Sequence, residues 1–338
     1  MEHRAATPPG PKFEDPTAAG RLHRDFAGLA TRYGTLVAAV AIFAIFTLLT
    51  PRFISALNIA NVLVQVSVLT VVSSGLTIAV ASGEFDLSVG QVAGLSGVLV
   101  AGLMVWSHAP LFVAIILPII AGTIIGIING VLVTTLRIPS LIVTLAMGPI
   151  ALGLNYAYDG GDSIYASFPN QFYWIATGRL FGFVPVPTVI ALIVVAVFFV
   201  LLNRTRLGRA VTATGANSQA ARLSGIRVNH CRRVSLALSA FGAAMGGVML
   251  TARLGTGQPG AGDPYLMDSL TAVFLGMTVF KPGRATIQGT LVGVVIIGML
   301  DNGLNLLGAP FYLQNEVKGA VMIAAVSLAV LRGEIKFF

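Results

Sequence analysis

Charged residues are scarce in this chain, and the scarcity excludes a water-soluble globular protein. Asp, Glu, Lys and Arg make up 10% of the 338 residues, whereas a soluble domain carries about 25%. Cysteine is nearly absent, because Cys231 stands alone, and this excludes a disulfide framework and any paired-cysteine metal site. The 4 histidines are scattered and show no metal-ligand spacing. We therefore expect no metal and no other cofactor.

Signatures of catalysis and of nucleic-acid binding are also missing. No Gly-x-x-x-x-Gly-Lys-Ser/Thr segment occurs, so the chain is not expected to hydrolyse ATP itself. No set of nucleophile, base and orienting group is visible, so we do not expect an enzyme. The net charge is +8, but the basic residues separate apolar runs and form no patch with aromatic residues. Nucleic acid is therefore not an expected partner.

Apolar residues and glycine are abundant instead. Hydrophobic residues make up 56% of the chain and glycine occupies 38 positions, a composition typical of helices that pack closely in lipid. A spanning helix needs about 20 mostly apolar residues. The sequence therefore predicts an all-α, polytopic transmembrane bundle of about ten helices, the eighth of them short: 34–50, 60–82, 88–108, 110–135, 139–158, 184–202, 233–253, 266–280, 286–307 and 316–331.

The distribution of basic residues predicts the orientation of this bundle. Ten spans place both termini on one side, and 17 of the 21 Lys and Arg residues then lie on that side. Because positive residues favour the cytoplasmic side, both termini are predicted to be cytoplasmic. The predicted organisation is a poorly ordered tail over 1–33, a transmembrane domain over 34–332 and a cytoplasmic tail over 333–338.

Two loops differ from ordinary connections. The outer segment 159–183 is rich in aromatic residues and is predicted either to lie on the outer leaflet or to dock an external partner. The inner loop 203–232 overlaps the stretch 204–233, which contains seven arginines and no acidic residue. In it Asn217 is a good N-cap, Ala220 and Ala221 favour helix, and Gly225 suits the position after a helix. We predict a two-turn cytoplasmic helix that packs on the membrane domain or on another protein, since such short helices are marginal alone.

Polar residues near or within the spans are candidates for function. Glu84 and Asp86 follow the second span and are interpreted as a solvated turn, or as a cap shared by Asp86, Ser88 and nearby amides; the alternative is a gate or proton relay. Asp301 fits interhelical hydrogen bonding and the lining of a path for a hydroxylated solute equally well. The candidate pathway residues are Asn61, Gln65, Ser73, Asn155, Asp301 and Asn305.

Glycines at four-residue spacing predict close helix contacts. Gly122, Gly126 and Gly130 share one helix face, and Gly289 and Gly293 share another. Such small-residue faces let two helices approach closely in a membrane.

Several segments, in one order along the chain, carry a resemblance to a known family. They are 49–53 with Asn61 and Gln65, the Asp-Leu-Ser-Val-Gly segment 86–90, 138–145, the inner loop 203–226, 289–293 and 302–308. Together they resemble the ribose-type permeases of ABC importers over about residues 40–332. The chain departs from the family at Glu84 and Phe85, at 281–285 and at Asp301, and these departures concern the substrate.

The resemblance implies a set of partners and sites. It implies a second permease subunit (a copy or a paralogue), cytoplasmic ATP-binding subunits, a periplasmic solute-binding protein and the lipid bilayer. It implies that the coupling helix, which contacts the ATP-binding subunit, comprises Gly215, Asn217, Ala220, Ala221, Arg222, Ser224 and Gly225. Asp86, Ser88 and Gly90 would form a structural motif. The expected solute is small and polar, such as a monosaccharide or a polyol.

Three alternatives remain open at this point. A secondary transporter would need a cluster of buried ionisable groups. An ABC permease for branched-chain amino acids or nucleosides would share the same architecture. A membrane scaffold would use the inner loop to bind a different partner.

Overall fold

The computed structural model describes residues 18–165, 167–280 and 283–331. In these residues the backbone is helical nearly throughout. The helices are α1 Ala18–Leu49, α2 Ala56–Ala81, α3 Val89–Val105, α4 Leu111–Thr135, α5 Ser140–Asp159, α6 Asn170–Thr177, α7 Val186–Arg204, α8 Arg206–Ala216, α9 Ser218–Leu223, α10 Val228–Leu254, α11 Pro264–Gly276, α12 Ile287–Leu306 and α13 Phe311–Leu331, with a 3₁₀ turn at Pro51–Ile54. Each of the ten apolar runs overlaps one helix, although α11 is short.

Two short antiparallel strand pairs organise the outer segment. β1 (Ile164–Tyr165) pairs with β4 (Thr256–Gly257), and β2 (Arg179–Leu180) pairs with β3 (Val184–Pro185). Between them α6 buries Phe172 in a cluster formed with α3, α4 and α10. The segment 159–183 is therefore anchored by its apolar side to the helices beneath it. Trp174 on α6 remains about half exposed.

α10 lies at the centre of the bundle and packs against α2, α3 and α4. The predicted glycine face of α4 makes one of these contacts. A Cβ atom added at Gly126 would lie 2.5 Å from the Cβ of Ala240 on α10, closer than two carbon atoms can approach. Gly122 and Gly130 contact α10 in the same way, through Ala244 and Arg233. The prediction of a close helix contact is confirmed.

A second close pair is formed by α11 and α12. Gly289 lies against the carbonyl of Gly276, and Gly293 against the carbonyl of Ala272, with no room for a Cβ atom at either glycine. This contact positions the polar residues of α11 and α12 beside one another. α11 is short, as the sequence suggests, since it begins at Pro264 and ends at Gly276.

The structure supports an all-α membrane bundle. Among the described residues, six helices are long and apolar enough to cross a bilayer: α2, α4, α5, α7, α10 and α12. The part of α1 from Gly34 to Leu49 and all of α3 are apolar but shorter. In α2, α10 and α12 most of the apolar window is buried inside the protein, which is typical of helices surrounded by other helices.

Two boundaries differ from the sequence prediction. α1 begins at Ala18, within the segment predicted as a poorly ordered tail, and no proline interrupts the chain between Ala18 and Leu49. Residues 1–17, 281–282 and 332–338 lie outside the described residues, and so do the predictions made for them. The inner loop is more helical than expected, because α8 precedes the predicted helix. Thr205 caps α8 by accepting a hydrogen bond from the Gly208 amide at 3.0 Å.

Candidate functional site: an inner coupling region and an outer cavity

The predicted inner helix is present as α9. The Asn217 side chain accepts a hydrogen bond from the Ala220 amide at 2.9 Å, as an N-cap does. Gly225 follows the helix with a φ of +80°, which favours glycine because a Cβ atom would be strained there. Ala221 is buried on the membrane domain, whereas Leu223 is 90% exposed. The helix therefore packs by one side and presents an apolar residue on the other.

α8 connects this helix to the interior through Gly215. A Cβ atom at Gly215 would collide with the carbonyl of Ala81 and lie 3.0 Å from the amide nitrogen of Gly83. These two residues begin the turn between α2 and α3. The end of α8 thus lies in close backbone contact with the 81–88 turn, where nothing larger than glycine fits without displacement.

Both acidic residues of the 81–88 turn are buried, so the interpretation of these residues as part of a solvated turn is wrong. Asp86 has no exposed surface, and Glu84 is 5% exposed. The Ser88 amide and hydroxyl both donate to Asp86 Oδ1, at 3.0 and 2.6 Å. Ser88 itself makes no side-chain cap bond to α3. Asp86 and Ser88 therefore satisfy one another as the cap interpretation proposed, but inside the protein.

Neighbouring helices fix this turn from several sides. Arg232 Nε on α10 lies 2.8 Å from Glu84 Oε1. Burial raises the pKa of Glu84, and this effect is partly offset by the Ser140 hydrogen bond and by the Arg232 charge. The Thr144 hydroxyl accepts from the Leu87 amide at 3.0 Å. Gly90 approaches the Gly262 carbonyl so closely that a Cβ atom would lie 3.0 Å from it.

On the opposite side of the bundle, a cavity of about 350 Å³ lies between α2, α10, α11, α12 and α13. Lys318 Nζ on α13 lies 3.0 Å from Asp268 Oδ1 on α11 and 3.0 Å from Asp301 Oδ1 on α12. We call these three residues the charged triad. One ammonium group therefore joins two carboxylates from different helices at the wall of the cavity.

A second cavity, of about 480 Å³, lies next to the first and towards the outer segment. It is lined by Asn61 of α2 and by Arg179 of β2. Gln65, one helical turn from Asn61, lines the cavity of the charged triad. Arg253 lines both cavities. The two cavities therefore form adjacent compartments with one arginine at their boundary.

The structure brings together only part of the predicted pathway. Asn61, Gln65 and Asp301 line the two cavities. Ser73 and Asn155 are fully buried and are absent from both linings. Asn305 accepts from the Gln314 amide at 2.9 Å at the exposed end of α12. These last three residues are not brought to the cavities.

Sequence reasoning missed two members of the charged triad. Asp268 lies in the eighth apolar run and Lys318 in the tenth, and neither is among the candidate pathway residues. The signal was present, because an ionisable residue inside an apolar run calls for a partner of opposite charge. The ion pair between Asp268 and Lys318 could not be predicted, because the two residues are 50 positions apart in the sequence.

Architecture and cavities together define the class of protein: a polytopic, all-α membrane protein with a polar compartment within the bundle. The chain belongs to the family described as "Branched-chain amino acid transport system / permease component", which matches residues 58–326. It is a multi-pass inner-membrane protein and a transport permease subunit.

Individual relatives agree with this assignment. The ribose import permease protein of Bacillus subtilis (strain 168) is 39% identical over 313 residues, which cover 92% of this chain and 96% of the relative. The ribose import permease protein of Escherichia coli (strain K12) is 36% identical, with 92% and 97% covered. The D-allose transport system permease protein of the same strain is 35% identical, with 90% and 93% covered. No solved structure matches the chain at a significant level.

Proposed function

We propose that this chain is the membrane subunit of an ATP-driven importer for a monosaccharide or a related polyhydroxylated solute. The observation that carries the proposal is similarity over nearly the full length to permeases whose names specify ribose, allose, arabinose and galactose. The family description names amino acids instead, so uptake assays should include both solute classes. A cytoplasmic ATP-binding subunit supplies the energy, a periplasmic binding protein delivers the solute, and a second permease subunit completes the membrane part.

The proposed coupling surface is α9 with its flanking residues: Gly215, Asn217, Ala220, Ala221, Arg222, Ser224 and Gly225. The exposure of Leu223 and the burial of Ala221 support it. Movement of α9 would reach α8, and Gly215 would transmit it to the 81–88 turn by backbone contact. Packed elements of this kind transmit displacement because a close-packed interior compresses little.

The coupling proposal is tested by substituting exposed side chains of similar size. Leu223→Glu should abolish co-purification of the ATP-binding subunit and solute-stimulated ATP hydrolysis, since it places a charge on the contact surface. Tyr165→Glu is the control for co-purification, because Tyr165 is 74% exposed in the outer segment, away from the proposed coupling surface. Retention of both properties by Leu223→Glu would contradict the proposal. The buried Ala221 is less informative, since a large residue there would disturb the fold.

We also propose ten crossings with both termini cytoplasmic, and with 203–232 inside and 159–183 outside. The basic-residue distribution supports this arrangement. Fusions that report location test it: a reporter active only outside the cytoplasm should work after Tyr165 and fail after Gly225 and after Phe338. Activity after Gly225 would contradict the orientation.

The proposed solute path passes Asn61, Gln65 and Asp301, which line the two adjacent cavities. Dependence on ATP separates the importer from a secondary transporter. Deletion of the ATP-binding subunit should stop uptake in an importer, whereas a secondary transporter would continue to work on an ion gradient alone.

A further inference from the structure

The cavity of the charged triad contains charges that cancel. Asp268 and Asp301 carry two negative charges, and Lys318 and Arg253 carry two positive ones. Lys318 is shared by both carboxylates at 3.0 Å. Arg253 and Tyr265 line the same cavity. The ionised residues that line this cavity therefore present no net charge to a ligand.

The same cavity is rich in hydrogen-bonding groups that do not alter this balance. Gln65 and Gln258 supply amide groups, and Asp301 faces the cavity with a carboxylate that pairs with Lys318. Val66, Leu69 and Tyr265 add an apolar wall. Ligand sites combine such apolar walls with a few polar groups and occupy about 300–1,000 Å³. At about 350 Å³ the cavity suits one pentose or hexose.

Its position suits a ligand that enters from outside. Asn61 and Gln65 lie one turn apart on α2, so the outer compartment continues into the cavity of the triad along one helix face. Arg253 stands at the boundary between the two compartments. A solute released above the outer segment would meet Asn61 and Arg253 first, and the charged triad next.

We infer that the charged triad, with Arg253, is a specificity-determining site that accepts uncharged polyhydroxylated solutes and rejects their acidic and basic analogues. The physical reason is that a charged ligand in a partly enclosed, neutral cavity loses hydration without gaining a counter-ion. A neutral sugar can exchange hydrogen bonds to water for bonds to carboxylates and amides. The substrate class in this inference rests on the proposed function.

Protection of an introduced cysteine tests the inference on the full chain. Cys231 is buried and is the only native cysteine, so Cys231→Ala combined with Ala261→Cys places one thiol at the cavity wall. The probes are D-ribose, D-allose, L-arabinose and D-galactose, with D-gluconate and D-glucosamine as the charged analogues. At least one neutral sugar should slow labelling by N-ethylmaleimide threefold or more, and the charged analogues should slow it less than 1.5-fold.

A charge change at the site supplies the decisive comparison. Asp301→Asn gives the cavity one net positive charge while Lys318 keeps Asp268 as a partner, so a folded protein is expected and its elution profile checks this. Protection by neutral sugars should fall and protection by gluconate should appear. Glu316→Gln changes an exposed carboxylate on α13, the helix that carries Lys318, and should leave both patterns as they were.

The outcomes separate this inference from the proposed function. If the complete importer takes up one of the four sugars but none protects the thiol, the site is wrong and the proposed function stands. Equal protection by gluconate and neutral sugars in the parent protein, or an unchanged pattern in Asp301→Asn, also overturns the inference. If the complete importer carries no monosaccharide and no other polyhydroxylated solute, the proposed function fails and this inference fails with it.

Discussion

Two regions of this protein hold buried carboxylates, and they hold them in opposite ways. Asp86, in the inner turn, has no exposed surface and is bonded to Ser88, two residues away. Asp268 and Asp301, at the outer cavity, each leave 11% of the side chain exposed and are joined by Lys318 from a third helix. Asp86 Oδ1 is bonded within its own turn, whereas the outer carboxylates connect three helices and face a cavity.

This difference matches the two roles proposed above, which are transmission of movement at the inner turn and recognition of the solute at the outer cavity. A buried turn that is held by contacts to α5 and α10 keeps its shape when a neighbour pushes on it, so it suits the proposed link between α8 and the bundle. A carboxylate bonded across helices at a cavity wall can instead change partners when a solute enters. Each prediction below challenges one side of this comparison.

The largest effect is expected at the contact between α8 and the inner turn. Gly215→Val should reduce ATP-dependent uptake more than tenfold, because its side chain would collide with the Ala81 carbonyl. Uptake by the complete importer in vesicles measures this effect. Gly153→Val is the control, since nothing lies within 4 Å of a Cβ atom there. Normal uptake by Gly215→Val would show that this contact transmits nothing.

Loss of the shared cation should give the next largest effect. Lys318→Met leaves Asp268 and Asp301 without their counter-ion, and breaking a buried ion pair in this way costs about 3–5 kcal/mol. The unfolding midpoint of the detergent-solubilised protein should fall clearly. Adding Asp268→Asn and Asp301→Asn should recover part of the loss. An unchanged midpoint in Lys318→Met would mean that the triad does not hold the three helices together.

The inner carboxylate should contribute less to stability. Asp86→Ala removes the acceptor for the Ser88 amide and hydroxyl, and leaving such donors unpaired costs about 1–3 kcal/mol each before relaxation. Asp86→Asn keeps an acceptor oxygen and should lower the unfolding midpoint by less. If the asparagine variant is as unstable as the alanine variant, the hydrogen bonds to Ser88 are not what stabilises the turn.

The smallest effect concerns the pH dependence of the inner turn. Burial raises the pKa of Glu84 above its ordinary value of 4.5, so the folded protein binds this proton more tightly than the unfolded chain does. The stability that comes from the proton is present below pH 4.5 and is lost as the pH rises through the raised pKa. Relative to Glu84→Gln, the unfolding midpoint of the parent protein should therefore fall as the pH rises above 4.5. If the difference between the two unfolding midpoints did not change with pH, this prediction would be contradicted.

Much of the inner region was predictable because its signals are local. Asn217, Ala220 and Gly225 lie within nine consecutive residues, and the cap, the helix and the following turn depend only on neighbours along the chain. α9 was accordingly predicted with its cap, whereas α8 was missed. The backbone contact between Gly215 and Ala81 was not predictable, since a glycine in the sequence does not indicate which distant segment will pack against it.

The amino-acid sequence by itself determined the all-α class, the positions of the apolar helices, the glycine faces and the membrane family, because apolar periodicity and composition act along the chain. Only the tertiary structure decided that Asp86 is enclosed, that Asp301 meets Lys318 and Asp268, and that Asn61 and Gln65 share a compartment wall. The physical reason is that ion pairs and cavities depend on which helix faces meet, and that choice is made by the packing of the whole bundle.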